Sequence, residues 1–334
     1  MRWNLKPQPD PGKVKHLQDV LNVEEITASL LVQRGVETYE QARLFFRPSL
    51  DDLHDPFLMK DMDKAVARIE AAIDNQEKIL VFGDYDVDGT TAVSLVSSYL
   101  KTLSPHIATY IPDRYDEGYG ISFKGIDYAD DNGCSLIIAL DCGIKSIDHV
   151  SYAKAKNIDF IICDHHRPGD EIPEAVAVLD PKRDDCDYPY DELCGCGIGF
   201  KLIQALATMR GQQINDLTEY LDLVATAIAA DIVPMTGENR ILAKFGLDVI
   251  NSNPRPGIKS LICQIKKQTL DITDVVFIIA PRINAAGRIK HGNHAVELLT
   301  EFDLEQAEKF ASEIEKYNAD RKDLDKKITK EALL

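Results

Sequence analysis

The sequence predicts an α/β protein with an open, mainly parallel sheet flanked by helices. Two observations indicate the sheet: short apolar runs occur near residues 80, 108, 138 and 160, and helical patterns separate them. Strands that alternate with helices form right-handed βαβ units, in which the strands are parallel. A third observation concerns function, because acids or histidines follow three of these runs at the strand ends where such sheets bind ligands.

The composition is that of a globular chain. Its 334 residues, 45% of them hydrophobic, can bury a large core in one large domain or two smaller ones. No apolar run approaches the roughly 20 residues of a membrane span, and the first residues lack a signal peptide's apolar core. The seven cysteines form no C-x-x-C pair. We therefore expect reduced thiols, a cytoplasmic protein and no membrane partner.

The net charge of −17 argues against a general nucleic-acid coat. It does not exclude a nucleic-acid substrate, because metal-binding acids count as negative here and are neutralised by their ions. Whether the chain can bind a nucleic acid therefore depends on the local distribution of charge and not on the net charge.

Residues 1–60 are predicted to be a helical N-terminal leader. Ile26–Arg34 and Tyr39–Phe46 have helical spacing on either side of Gly35. An amphipathic helix over Asp61–Asn75 then leads into the first strand.

Three aspartates follow the first strand, Ile79–Phe82, in the stretch GDYDVDG. If the backbone stays extended, the carboxylates of Asp84, Asp86 and Asp88 share one face and lie close together. Such like charges repel, which favours a bound cation over the alternative of a solvated Asp-Gly turn. An EF-hand calcium loop is excluded because its twelfth position requires Glu and is Leu95 here.

A helix over Thr90–Leu100 and a second strand, His106–Ile111, are expected next, followed by the loop PDRYDEGYG. Arg114 lies in this loop beside Tyr115, with Tyr119 nearby. An arginine next to aromatic rings can bind a phosphate and stack a base. A surface salt bridge is an equally good interpretation.

Two further predicted strands end in acidic or histidine residues. Ser135–Leu140 ends in Asp141, and Ile158–Cys163 ends in Asp164–His166. Parallel strands end on the same edge of a sheet, so these acids and imidazoles can meet the aspartates of the first strand. The helices between these strands are predicted over Phe123–Asn132 and Ser146–Lys156.

Four motifs in order resemble those of the DHH phosphoesterase superfamily: GDYDVDG, ALDCG, DHH and AADIVP. The segments DPFLMKDMDKAVARI, IPDRYDEGYG, GCGIGFKLIQAL and PRINAAGRI are similar to its single-stranded-DNA exonuclease branch. The resemblance covers nearly the whole chain. It implies a DHH phosphoesterase domain over residues 61–302, with residues 303–334 as the start of a long interdomain helix. It also implies a set of metal ligands, Asp86, Asp88, Asp141, His165 and Asp231.

One position departs from the superfamily pattern. Many members have a histidine where this chain has Phe82, so one ion would have one nitrogen ligand fewer. Asp84 or water is the candidate substitute, and Asp84 is also a candidate catalytic residue.

His166 is the other candidate catalytic residue. Successive residues past a strand end point in different directions, so His165 and His166 do not both ligate one ion. Beside two cations the free imidazole is expected to be neutral and to contact the scissile phosphate or the leaving oxygen, as the resemblance also implies. The alternative is a histidine that only orients a carboxylate.

Carboxylates with an imidazole and no thiolate suit Mn²⁺ or Mg²⁺, and the acids suffice for two ions with Asp141 between them. Two such ions promote in-line attack at phosphorus. The sequence contains no G-x-S-x-G and no Walker A lysine. The resemblance implies hydrolysis of single-stranded DNA from the 5′ end to mononucleotides, in DNA repair and recombination, with other DNA repair proteins as further candidate partners. A hydrolase of small phosphoesters and a non-catalytic strand-binding scaffold are the alternatives.

Two more stretches are candidates for substrate contacts. Arg282, Asn284 and Arg288 in PRINAAGR are interpreted as a loop that binds substrate phosphates, with a structural role as the alternative. The glycine-rich start of a helix, Cys194–Lys201, can hold a phosphate on its amides or allow close packing, and we favour packing.

Overall fold

The computed structural model describes residues 4–263 and 265–333. Contacts divide the chain after Leu53 into two units. The helices of the first unit are α1 Pro11–Leu21, α2 Glu25–Val32 and α3 Tyr39–Phe46, followed by a short 3₁₀ turn at Leu50–Asp52. Its small core includes Leu17, Ala28 and Ala42. The helix α1 was not predicted, although Asp10 caps it and Pro11 opens it, which is a common helix start.

The second unit, from His54 onward, contains a five-stranded sheet in which all neighbouring strands are parallel, in the order β2-β1-β3-β4-β5. The strands are β1 Lys78–Gly83, β2 Ile107–Tyr110, β3 Cys134–Leu140, β4 Asp159–Cys163 and β5 Ala177–Leu179. The predicted α/β class with a parallel sheet is confirmed. The fifth strand was missed because three residues are too few to show a pattern.

Helices cover both faces of this sheet. The helices of the second unit are α4 Met62–Asp74, α5 Val87–Leu103, α6 Phe123–Asp131, α7 Ile147–Ala155, α8 Gly195–Met209, α9 Leu221–Asp231, α10 Gly237–Ser252, α11 Pro256–Ile262, α12 Ile272–Asp274, α13 Ala280–Ile289, α14 Asn293–Thr300 and α15 Leu304–Ala332. Short 3₁₀ turns lie at Pro56–Leu58 and Ile214–Tyr220. On one face, α6 and α7 enclose a core with Leu80, Phe82 and Phe160, while α5 and α8 pack on the other face.

The C-terminal helices form a layer of their own. The helix α15 packs on α11, α13 and α14 and is part of the second unit. Its buried positions are Ala307, Ala311, Ile314 and Asn318. The sequence pattern predicts an apolar stripe of Phe310, Ile314, Tyr317, Leu324 and Ile328 along this helix. The prediction is wrong at the end of the stripe, because Leu324 and Ile328 are half exposed. Leu334 lies outside the described residues. None of the helices described combines the length and apolar character needed to cross a membrane.

Candidate active site

The carboxyl edge of the sheet brings together side chains that are far apart in sequence. Nε2 of His165, just past β4, lies 3.2 Å from Oδ1 of Asp141, just past β3. The same nitrogen lies 3.7 Å from Oδ2 of Asp88 and 3.8 Å from Oδ2 of Asp231, at the end of α9. Ligand atoms of Asp88, His165 and Asp231 all lie within 4.8 Å of one another. The structure therefore places four of the five predicted metal ligands around one point.

The turn after β1 differs from the extended backbone that the sequence predicted. The helix α5 begins at Val87, three residues before the predicted start, because Asp86 caps it and its Oδ1 accepts a hydrogen bond from the Gly89 amide at 3.0 Å. Asp88 lies in the first helical turn, so the three aspartates do not share one strand face. Asp84 remains at the strand end, where its Oδ1 accepts a hydrogen bond from the Gly120 amide at 3.1 Å.

The start of α8 holds the carboxylate of Asp88. The amides of Gly195 and Cys196 donate to its two oxygens at 2.6 and 2.7 Å. A side chain at Gly195 is impossible without rearrangement, since its Cβ would lie 2.5 Å from the Cβ of Asp141. Gly195 thus allows the start of α8 to pack closely on Asp141, as predicted for the glycine-rich stretch Cys194–Lys201. The amides at this helix start bind a protein carboxylate, as an electropositive helix N-terminus favours.

The electrostatics of this cluster suit a divalent cation. Burial raises the pKa of Asp88, Asp141 and Asp231, and the charges of Asp88 and Asp86 add to the effect at Asp141. Burial, followed by the charge of Asp86, raises the pKa of Asp84 to about 7. Oδ2 of Asp84 and Oδ1 of Asp141 are buried without a hydrogen-bond donor among the described residues.

Unsatisfied buried acceptors are costly, and a cation would satisfy these. The donor set of carboxylates with one imidazole fits Mn²⁺ or Mg²⁺. Phe82 has no nitrogen to offer, and its buried ring stacks on Tyr110 with the ring centroids 5.4 Å apart. Asp84, the buried acid two residues further along the chain, is the residue predicted to replace that missing ligand.

The backbone is strained beside two of the predicted ligands. Asp141 has φ of 59°, and Ile232, directly after Asp231, also has φ of 59°. A β-branched residue in the left-handed region is a true outlier, and such strain is found at functional sites. The Ile232 side chain is exposed beside the cluster.

The side chain of His166 is held by Asp164, the first residue of the DHH motif. Its Nδ1 lies 2.7 Å from Oδ1 of Asp164, which also accepts the amides of His165 and His166. Its Nε2 lies 3.4 Å from the hydroxyl of Tyr119. The hydrogen bond to Asp164 raises the pKa of His166. Burial alone would raise the pKa of Asp164, but the His166 side chain and the amides of Ile144 and His166 together outweigh burial and lower it. The protein alone therefore favours a charged His166, opposite to the neutral imidazole expected with ions bound.

Arg114 lies on a row of aromatic rings that leads to His166. Its guanidinium carbon is 4.6 Å from the ring centroid of Tyr85, whose ring meets Tyr119 edge-on at 6.0 Å. The Tyr119 ring meets His166 edge-on at 6.1 Å. No carboxylate among the described residues forms an ion pair with Arg114, so the alternative of a surface salt bridge is not observed.

The segment PRINAAGR is the helix α13, which corrects the prediction of a loop. It follows a π-helical turn, Val275–Ile279, which widens the backbone ahead of Pro281, a residue that cannot donate an N–H. Asn284 and Arg288 lie four residues apart on one helix face. They line a cavity of about 270 Å³ together with Asp86, Asp88 and Asp231. The helix approaches so closely that a Cβ at Gly287 would lie 2.5 Å from the Tyr85 carbonyl oxygen.

Arg282 is directed elsewhere, and the structure does not bring it together with Asn284 and Arg288. Its guanidinium donates to Glu315 of α15 at 2.6 Å and to the Ile278 carbonyl at 2.7 Å. It lines a separate cavity of about 320 Å³. Its contacts hold α13 against α15.

Two residues near the site were not predicted from the sequence. Asp180 follows the short β5 and is fully buried, and burial raises its pKa to about 7. Arg321 of α15 lines the cavity that contains Asn284 and Arg288. Arg321 continues the alternating spacing of four and three shown by the buried residues 307, 311, 314 and 318, but asparagine and arginine at the end of this series give no apolar signal in the sequence.

Comparisons with known proteins agree with these features. Residues 78–228 match the DHH family, N-terminal domain. The chain is 43% identical over 338 residues to the single-stranded-DNA-specific exonuclease RecJ of Bacillus subtilis, covering all of this chain and 42% of that protein. It is 36% identical to RecJ of Escherichia coli, covering 82% of this chain and 50% of that protein. The chain thus spans about half the length of the curated relatives it matches.

Solved structures give the same result. A crystal structure of exonuclease RecJ bound to manganese matches with a TM-score of 0.77 and 30% identity, covering 85% of this chain and 71% of that one. RecJ of Thermus thermophilus in complex with Mn²⁺ matches with a TM-score of 0.85 and 28% identity, covering 99% of this chain and 47% of that one. The chain belongs to the DHH family and, within it, to the RecJ branch. The resemblance stated from the motifs is confirmed.

Proposed function

We propose that this chain carries the catalytic site of a metal-dependent exonuclease that hydrolyses single-stranded DNA from the 5′ end and releases mononucleotides. The observation that carries the proposal is the convergence of Asp88, Asp141, His165 and Asp231 on one point beside His166. The RecJ relatives are named as exonucleases specific for single-stranded DNA, and structures of RecJ hold Mn²⁺ or Mg²⁺. A role in repair and recombination with other repair proteins belongs to the same proposal.

The four converging residues would hold one Mn²⁺ or Mg²⁺, and Asp86 with Asp141 would hold a second, with Asp84 replacing the ligand absent at Phe82. When bound, such ions neutralise phosphoryl oxygens and lower the pKa of an attacking water. The chain's own contribution is to fix the carboxylates. The helix amides at Gly195 and Cys196 orient Asp88 before any ion arrives.

His166 would contact the scissile phosphate or the leaving oxygen through Nε2. Asp164 orients its ring by accepting the Nδ1–H, so Nε2 is turned toward the site. The substrate must replace the weak contact of this nitrogen with Tyr119. Arg114, Asn284 and Arg288 would contact backbone phosphates, and we assign Arg282 to holding α13 on α15. Residues 61–302 are the proposed catalytic domain.

The test is incubation of the protein with 5′-labelled and 3′-labelled single strands in Mn²⁺. We expect a labelled mononucleotide as the first product from the 5′-labelled strand, and gradual shortening of the 3′-labelled strand. Release of 3′-terminal nucleotides first would contradict the polarity. Hydrolysis of pyrophosphate without hydrolysis of DNA would contradict the substrate.

A further inference from the structure

The cavity of about 270 Å³ beside the candidate metal centre has two walls of opposite charge. Asp86, Asp88 and Asp231 lie on one wall. Asn284 and Arg288 of α13 and Arg321 of α15 lie on the other. Opposite charges that are close enough to touch pair with each other. Among the described residues, no ion pair joins these two walls, so the space between them suits a ligand that contacts both.

Arg321 has unsatisfied hydrogen-bonding capacity in this cavity. Its Nη2 donates to Oδ1 of Asn318 at 3.1 Å, and its Nη1 is 3.9 Å from the largely exposed carboxylate of Asp325. Its Nε is buried and has no acceptor among the described residues. A buried donor without an acceptor is costly and rare. The Arg321 side chain as a whole is 25% exposed, so a ligand can contact it where it lines the cavity.

The position of Arg321 is fixed by the helix that carries it. Asn318, which orients the guanidinium, is 1% exposed. One turn earlier Ile314 is buried against the neighbouring helices, and the Arg282–Glu315 ion pair ties α15 to α13. Arg321 is therefore presented by packed residues and is unlike the other basic residues near the end of α15, which are exposed.

We infer that Arg321 binds a backbone phosphate of the single strand, so that α15 forms part of the substrate-binding cleft. The inference rests on the proposed function. A planar guanidinium matches phosphate oxygens in a bidentate geometry. Cations held by the carboxylate wall would make both walls attractive to a phosphate, and the strand would pass between them.

The experiment compares Arg321→Ala with Lys322→Ala, an adjacent and exposed position on the same helix that loses the same charge. The affinity for a 5′-phosphorylated single strand is measured with Ca²⁺ in place of Mn²⁺, and the strand is checked to be intact. We expect Arg321→Ala to weaken binding roughly 10-fold to 100-fold, the range for a charged hydrogen bond. The slope of log affinity against log salt should fall by about 0.7, as for one lost phosphate contact on a single strand. Lys322→Ala should match the wild type in both.

A chemical substitution locates the phosphate. Strands that carry one neutral methylphosphonate linkage, placed at each of the first five positions in turn, should bind the wild type more weakly wherever a phosphate is contacted, and one of these positions should be the contact of Arg321. Arg321→Ala should be insensitive to that same linkage, because the contact is already lost. If no linkage shows this coupling, the inference is overturned.

Arg321→Gln covers the case in which the alanine variant is unstable, since it keeps the stem and a donor toward Asn318 but removes the charge. A wild-type salt slope in both variants overturns the inference. Failure of the proposed function looks different, because the wild type itself would then neither bind nor hydrolyse single strands.

Discussion

The protein buries charge in two regions, and the two are built differently. In the first, Lys201 is fully buried, and its Nζ donates to Glu238 at 3.0 Å and to the His54 carbonyl at 2.6 Å. The other oxygen of Glu238 accepts the hydroxyl of Tyr188 at 2.7 Å. The second region is the carboxyl edge of the sheet. There Asp141 crowds with other acids, and one of its buried oxygens has no donor among the described residues.

This difference in hydrogen-bond partners indicates a structural role for the charges of Lys201 and Glu238 and a ligand-binding role for the acids at the sheet edge. In a buried ion pair with every partner in place, mutual attraction and hydrogen bonds offset much of the cost of burying the two charges, and removing one partner is strongly destabilising. Buried acids of like charge cost stability in the folded protein itself and are retained where a ligand offsets that cost. Neutralising one residue should therefore have opposite effects on the stability of the metal-free protein in the two regions.

Asp141→Asn should have the largest effect of the changes considered. The variant should lose Mn²⁺ binding and fall to background activity on single strands, because Asp141 lies 3.2 Å from His165 and is affected by the charges of Asp86, Asp88 and Asp231. In metal-free buffer the same variant should melt at a higher temperature than the wild type, since a buried charge has been removed. Metal content, activity and melting temperature check this. Wild-type Mn²⁺ affinity would refute the assignment.

His166→Ala should lower kcat by about 10²-fold to 10⁴-fold, the range for a lost acid–base or hydrogen-bonding partner. Its ring is half exposed and tied to Asp164, so the variant should keep its fold and its metal content. Metal titration separates this role from the alternative that His166 only orients a carboxylate, in which case metal binding would weaken. Full activity would remove His166 from the mechanism.

Lys201→Met should destabilise the protein by about 3–5 kcal/mol, since it leaves Glu238 buried without its cation. Metal affinity per folded molecule should be unchanged. Denaturant unfolding in chelator measures the loss. The double variant Lys201→Met, Glu238→Gln should recover part of it, whereas additive losses would show that the pair acts as two independent groups.

The sequence predicted the sheet, and it pointed to the acids and the histidine that the structure brings together, because both depend on local patterns. Apolar runs mark buried strands, and the acids and histidines at three strand ends meet through the geometry of parallel strands alone. The turn at Asp86 was misjudged because an aspartate after a strand can continue it or cap a helix, and packing decides. The helix α13 looked like a loop because proline and glycine suggest irregular backbone.

Arg321 and Asp180 were missed for a different reason. Their positions depend on which face of a helix is covered and on which short segment joins the sheet. Such questions are settled by contacts distant in sequence. The helix α15 shows this, since Leu324 and Ile328 were predicted to be buried and are half exposed, whereas Asn318 is buried.

The smallest predicted effect is a change in the pH dependence of metal-free stability, caused by Asp84. Its pKa is about 7 in the folded protein, against an ordinary value of 3.8. Below about pH 4 both states are protonated and the group costs nothing. Between pH 4 and 7 the unfolded chain releases the proton and the folded protein keeps it, so stability falls as pH rises, by on the order of 2–4 kcal/mol. Above about pH 7 the loss is complete.

Asp84→Asn should remove this dependence. Asparagine keeps a carbonyl oxygen for the Gly120 amide and cannot ionise. The variant and the wild type should therefore be equally stable near pH 4, with the variant more stable at pH 8 in chelator. Unfolding free energies at both pH values measure the difference. Adding Mn²⁺ at pH 8 should stabilise the wild type more than the variant, because the ion offsets the buried charge of Asp84 only where that charge exists. An equal gain from Mn²⁺ in both proteins would place Asp84 outside the metal centre and leave water as the replacement for the ligand missing at Phe82.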